Sequence, residues 1–559
     1  MHELKILLLT SLMIFFTSCW IDSSSDTKDT TTEDNITLDD FADVVPYNPY
    51  FTSLHFSGSQ NCALCHDNIF DTVTNKDVSI VKAWHGTIMG HASIDPLYLA
   101  KVASEVKRNP NFKEVIEAKC SSCHMPMAYV DAKFIGDPTL MFGDGFLNVS
   151  NPHYDAAKDG VSCTLCHQIE NTPELGTDAG FSGKFVIAEN FGTDRTIYGP
   201  YLDPKQAPMI NNVEFTPVYG AQIEASKLCA TCHNLNTPVI DADGNLTSDT
   251  FPEQAVYTEW EYSDYNGTKN CQDCHMPITE GSVVISTRGT SLTARSPFHE
   301  HRFIGANTYM LEIIKNNRIK LGSIVDEARL DQSITDTREF LKAAADVNIT
   351  TISYVNGTLA FSVLIRNHSG HKFPTSLPIH RAWLHVKVTN DTNQSVFESG
   401  AFDVEGGIVG VDGITNGYQI HHDKITNPSE VQVYESIMAD TSGQLTYTFM
   451  NASRYLKDNR ILPLGYKSTT PSTAQPYGEA LNDTNFVGGS DTVDYEVSGL
   501  PSGIYNISVT LMYETFSHGF TQDLFKDTDL REVALMRLLD TNTTNHYETV
   551  SADTAIYTP

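Results

Sequence analysis

Ten of the eleven cysteines in this 559-residue chain fall in pairs three positions apart, and a histidine follows every pair. The five groups are Cys62, Cys65 and His66; Cys120, Cys123 and His124; Cys163, Cys166 and His167; Cys229, Cys232 and His233; and Cys271, Cys274 and His275. Two thiols at this spacing can add across the two vinyl groups of a haem, leaving the adjacent histidine within reach of the iron as its proximal ligand. A single Cys-x-x-Cys also suits half a zinc site, a redox dithiol or a disulfide pair. None of these explains a histidine in every copy, and zinc would need the motifs to combine in twos, which five cannot do. The spacing therefore predicts five covalently attached haem c groups with those five histidines as proximal iron ligands.

A low-spin haem also needs a ligand on its other face, usually His or Met. Between residues 45 and 322 the free histidines are His55, His85, His91, His153, His299 and His301. A lone histidine is more often an ordinary hydrogen-bonded residue, so setting decides. His91 ends a helical-looking stretch from Trp84 in which Met89 competes as ligand. His299 and His301 flank Glu300 just after the fifth motif, and since alternate residues of an extended chain face opposite ways, one of the two is expected to reach a given iron. Far downstream, His371 sits in the loop Asn367 to Thr375 after a predicted strand, a place from which a side chain can be presented to a neighbouring domain. It is read as a further distal ligand, whereas His421 and His422 read as solvent-facing.

These residues must be positioned by at least two kinds of structure. Residues 1–19 read as a signal peptide: Lys5, a mostly apolar run from Ile6 to Phe16, then small residues before Cys19, the eleventh cysteine and an expected lipidation site. Residues 20–44 are rich in Ser, Thr, Asp and Glu and read as a disordered tether. From 45 to 322 the motifs are so dense that porphyrins should serve as the core, with short helices joined by loops. A linking helix is expected over 323–345, with Val325, Ala328, Ile334 and Leu341 on its apolar side. The period then becomes two. Leu359, Phe361, Val363 and Ile365 alternate after an Asn356-Gly357 turn, as do Leu384, Val386 and Val388, and Tyr505, Ile507, Val509, Leu511 and Tyr513. Residues 346–559 are therefore expected to form an immunoglobulin-like β-sandwich. No stretch after the signal is long and apolar enough to cross a membrane.

Several phrases around the motifs carry a family likeness. Trp84 to Pro96, Asp159-Gly160-Val161-Ser162, Tyr257-Thr258-Glu259-Trp260, Cys271 to Pro277 and His301 to Asn307 resemble segments of multihaem cytochromes of the cytochrome c-554/c-prime type. Gly370-His371-Lys372-Phe373-Pro374-Thr375 resembles a segment of such cytochromes that carry an appended C-terminal domain. The resemblance implies a haem-packed, mainly helical and irregular domain that carries electrons, commonly through histidine-ligated irons.

The formal charge of −32 argues against nucleic acid or an anionic membrane surface as a partner. An exported, lipid-anchored cytochrome at the bacterial outer membrane is the leading expectation, passing electrons between a periplasmic or membrane donor and an extracytoplasmic acceptor, with redox proteins as partners. A reductase acting on nitrite, hydroxylamine or a sulfur compound would need one open iron. A subunit of an extracellular cytochrome filament would use the same haem chain.

Overall fold

The computed structural model describes residues 36–559 apart from 404–405, 415–416, 468 and 545. The expected signal segment, Cys19 and most of the expected tether lie outside the described residues. Order starts earlier than composition suggests. Phe41 is buried, Lys320 donates to its carbonyl at 2.7 Å, and the Val44 amide bonds the Lys320 carbonyl, so residues 41–44 lie against the body.

All five motifs sit on helical turns: Ser59–His66, Lys113–His124, Cys163–Cys166, Lys227–His233 and Cys271–His275. On a helix, positions i, i+3 and i+4 share one face, so both thiols and the histidine of a motif point the same way. The fifth helix is capped reciprocally: Asn270 caps its N-terminus and the Asp273 carboxylate accepts the Asn270 N–H at 2.7 Å. The apolar pattern before the second motif is split into Pro96–Arg108 and Lys113–His124, because Asn109 precedes Pro110 and leaves the helical region. Asp95 starts the first of these by accepting the N–H groups of Leu97 and Tyr98.

The motif region also holds strands that composition did not announce. β1 (Arg195–Gly199) pairs in parallel with β2 (Phe215–Tyr219), and β3 (Asn234–Ile240), which begins directly after His233, pairs antiparallel with β4 (Leu246–Ala255). A helix over Glu327–Lys342 then buries Leu330, Ile334 and Leu341.

Beyond it the chain alternates. β5 (Ala345–Val355) and β6 (Thr358–Asn367) form a hairpin whose turn residues Asn356 and Gly357 both have positive φ, 51° and 85°. The strands that follow are β7 (Arg381–Asn390), β8 (Ser395–Ser399), β9 (Lys424–Ile425), β10 (Val433–Ala439), β11 (Arg454–Asp458), β12 (Ser490–Val497), β13 (Tyr505–Glu514) and β14 (Tyr547–Tyr557). One sheet runs β11-β10-β7-β13-β14 with β8 also on β7, and the other runs β5-β6-β12-β9. Leu359, Phe361, Val363 and Ile365 of one sheet and Leu384, Val386, Val388, Ile507, Val509 and Leu511 of the other share a single core.

Two helices not expected from the sequence, His518–Leu524 and Arg531–Thr541, follow β13. Phe520, Val533 and Met536 pack against Leu97 and Ala100 of the Pro96–Arg108 helix, and Arg108 bonds Asp527 at 2.9 Å. The two regions are thus joined by a common apolar cluster. Among the described residues no helix is long and apolar enough to cross a membrane.

Candidate haem-binding site

All ten motif cysteines and all five motif histidines line one cavity of about 1230 Å³. The cysteines are free thiols, so the disulfide reading is not realised. Nor do they converge in sets that could hold zinc. Among the described residues the one group of His, Cys, Asp and Glu with metal-binding spacing is His421, Asp483 and Asp491, which contains no cysteine.

The motifs meet in an order different from that of the chain. Thr164, inside the third motif, donates to the Ser57 carbonyl at 3.0 Å, Ser59 donates to Asp159 at 2.7 Å, and the Cys62 thiol lies beside Cys163. The second and fourth motifs meet at Gly183. Its N–H bonds the Thr231 carbonyl, and a Cβ there would stand 2.5 Å from Ser122 Oγ and 3.3 Å from Cys123 Sγ. The fourth and fifth are tied where Ser226 Oγ accepts the Cys271 N–H at 3.0 Å and Gln272 donates to the carbonyls of Ile223 and Ala225.

Eight of the histidines that line the cavity share one pattern. Nδ1 donates to a backbone carbonyl in His66 (Ile285, 2.7 Å), His124 (Ala92, 3.2 Å), His167 (Tyr198, 2.6 Å) and His275 (Ile304, 2.5 Å). The same holds for His299 (Met276, 2.8 Å), His301 (His299, 3.1 Å), His371 (Lys372, 3.0 Å) and His380 (Thr515). A carbonyl cannot donate, so the proton is on Nδ1 and Nε2 keeps its lone pair, which is the second-shell arrangement of metal-ligating histidines. Burial, and then the neighbouring His371, pushes His275 down to about 4, and burial, and then His167, pushes His301 down to about 3, so both are neutral at physiological pH.

Two pairs of these rings face each other. His167 and His301 have ring centres 6.3 Å apart with planes 18° from parallel, and His275 and His371 are 6.2 Å apart at 22°. About 2.0 Å from metal to imidazole nitrogen and about 1.2 Å from nitrogen to ring centre, doubled, is about 6.4 Å, so one metal fits between each pair. The ring separations are those that two imidazoles holding one haem iron between them would have.

The remaining sequence candidates are placed differently. His91 is buried outside the cavity lining, with Nδ1 donating to Thr87 at 2.7 Å and Nε2 accepting from Ser323 Oγ at 2.8 Å, while Met89 lines the cavity. His55 Nδ1 is 2.6 Å from Asp131, His153 Nε2 is 3.1 Å from Asp137, and His85 Nε2 is 3.2 Å from Ser59 Oγ. His421 is buried, not solvent-facing as its sequence setting suggested. Gln432 and Asn459 both donate to its Nδ1, so Nε2 carries the proton and donates to Asp483 at 2.9 Å. That leaves this imidazole no lone pair for a metal. His380, in the loop before β7, was missed by sequence reasoning, because it resembles no motif and precedes a strand as polar residues commonly do.

The His371 loop is held by buried ions. Glu259, on the Val256–Glu261 helix of the motif region, accepts the Lys372 N–H at 3.1 Å and the Thr375 hydroxyl at 2.7 Å and pairs with Arg460 at 3.1 Å. Asp458 pairs with Lys372 Nζ at 2.7 Å and with Arg460 at 2.8 Å.

No family model and no curated protein matches this chain. Among solved structures it is similar to one described as a penta-heme cytochrome c552 from Thermochromatium tepidum, at 14% identity and a TM-score of 0.48, over 90% of this chain and 99% of that one.

Proposed function

We propose that this chain is an exported multihaem c-type cytochrome that carries five covalent haems and passes electrons between a periplasmic or membrane donor and an extracytoplasmic acceptor. The facing imidazoles His167 with His301 and His275 with His371, at the separation a shared metal needs, carry the reading. Haem, when bound, supplies reversible one-electron exchange at iron. The chain's own groups do the rest. Ten thiols would hold the porphyrin edges, and backbone carbonyls set the imidazole tautomers. A histidine on both faces of the irons at His167 and His275 would favour electron carriage over substrate conversion there.

The haem region fits the cytochrome c-554/c-prime type with an appended immunoglobulin-like sandwich, whose loop supplies His371. His299 and Met89 line the cavity as further distal candidates, and His91 would first have to give up Ser323. Export with lipidation of Cys19 would place the protein at the outer membrane.

Intact mass of the purified protein and an EPR and optical redox titration test this. Five haem masses and low-spin signals are expected. Fewer haems, or a high-spin haem that binds nitrite and turns it over, would replace the electron carrier with another reading.

A further inference from the structure

We infer that His380 is an axial iron ligand, on an iron whose proximal histidine is His124 or His233. This rests on the haem reading above and adds a ligand that the motifs do not mark.

The imidazole donates its Nδ1 proton to the Thr515 carbonyl, the residue lines the cavity, and among the described residues its Nε2 has no hydrogen-bond partner. A histidine that merely fills a core satisfies both nitrogens, because an unpaired buried polar atom costs free energy. His368, in the same loop, shows the contrast: it also lines the cavity, but its Nε2 is spent on Asp346 at 2.5 Å. His380 instead repeats the arrangement of His301 and His371, which stand opposite His167 and His275.

Its surroundings select the irons. Ser376, four residues earlier, donates to Gln254 at 3.0 Å, and Gln254 pairs with Leu235 on β3, two residues after His233. Ile379 is buried in the same cluster as Leu97, whose neighbour Tyr98 stacks on His124 with ring centres 3.7 Å apart. The loop therefore approaches the second and fourth motifs, which abut at Gly183. A loop of the β-sandwich would then ligate two irons, through His371 and His380, and the two regions would be locked together at two points.

The test is His380→Ala in the full-length holoprotein, with haem stoichiometry by intact mass measured first. A stoichiometry below five in the unsubstituted protein would count against the haem reading itself. With five haems retained, one haem in five is expected to turn high-spin by EPR and resonance Raman and to bind carbon monoxide, and added imidazole should restore the low-spin spectrum. Five low-spin haems with no carbon monoxide binding would overturn the assignment. Should the alanine variant fail to accumulate, His380→Met keeps a ligand of the other common type. One haem should then titrate at a higher potential with a methionine-type absorption band, and a titration identical to that of the parent would overturn the proposal equally.

Discussion

The β-sandwich and the motif region solve the problem of an interior in opposite ways. In the sandwich, Phe361 stacks on Tyr495 with ring centres 5.1 Å apart, and Val363, Ile365, Val386 and Val509 close the space between the sheets. The chain makes its own core there. In the motif region the apolar clusters are smaller and lie around a cavity walled by thiols and imidazoles. On the haem reading, that interior would be completed by a group the polypeptide does not encode as side chains. On that reading stability should be divisible: one region owes it to burial of its own surface, and the other would owe it to a prosthetic group whose binding free energy is folding free energy.

The largest expected effect exploits this division. In protein produced without haem attachment, amide exchange over Lys113–His124, Lys227–His233 and Cys271–His275 should accelerate by several orders of magnitude, while β6, β7 and β13 stay protected. Hydrogen exchange with mass spectrometry reads both regions in one experiment. Equal loss of protection in both would show that the sandwich depends on haem as well, and the comparison would break.

Next in size is the ionic cluster that joins the two. Asp458→Ala leaves Lys372 and Arg460 buried with Glu259 as their remaining counter-charge, and removal of one member of a buried pair typically costs about 3–5 kcal/mol. Burial alone would raise the Asp458 carboxyl, but Arg460 and Lys372 outweigh it and hold it down to about 2 from 3.8. A carboxylate depressed in this way adds stability that is present above its unfolded value and lost as pH falls through the folded one. Denaturant midpoints should therefore drop between about pH 4 and pH 2 in the parent and change less in the variant. If Asp458→Ala leaves the midpoint at pH 7 where it was, the cluster does not join the regions.

How much of this could be read from the sequence follows the same division. Period-two alternation located β6 and β13, and Asn356-Gly357 located the turn between β5 and β6, because a strand's pattern is local. Cys-x-x-Cys-His placed fifteen side chains on one cavity, because i, i+3 and i+4 share a helix face. What was not legible depends on partners far away in the chain. His421 looked exposed because Asp483 is 62 residues away. His380 went unnoticed because Thr515, which sets its tautomer, is 135 residues away. The Arg531–Thr541 helix could have been found, since Val533, Met536 and Leu539 recur at helical spacing, but a sandwich expectation masked it.

The smallest effect concerns a carboxyl in the cavity wall. Glu253 on β4 is buried, and it accepts the Thr237 hydroxyl. Burial pushes it up to about 7 from 4.5, with Glu105 adding to the rise and Lys101 and Lys119 opposing it. Between those two values the unfolded chain has released the proton while the folded protein keeps it, so the folded state binds more protons and stability falls as pH rises through this window. Glu253→Gln keeps an oxygen for Thr237 and removes the titration. It should therefore leave stability near pH 4 unchanged and raise it at pH 8 by about 1–3 kcal/mol. Denaturation at the two pH values in the holoprotein measures this. Parallel pH slopes for parent and variant would mean that the wall of the cavity tolerates a charge at Glu253, and that the motif region's interior is wetter than its burial implies.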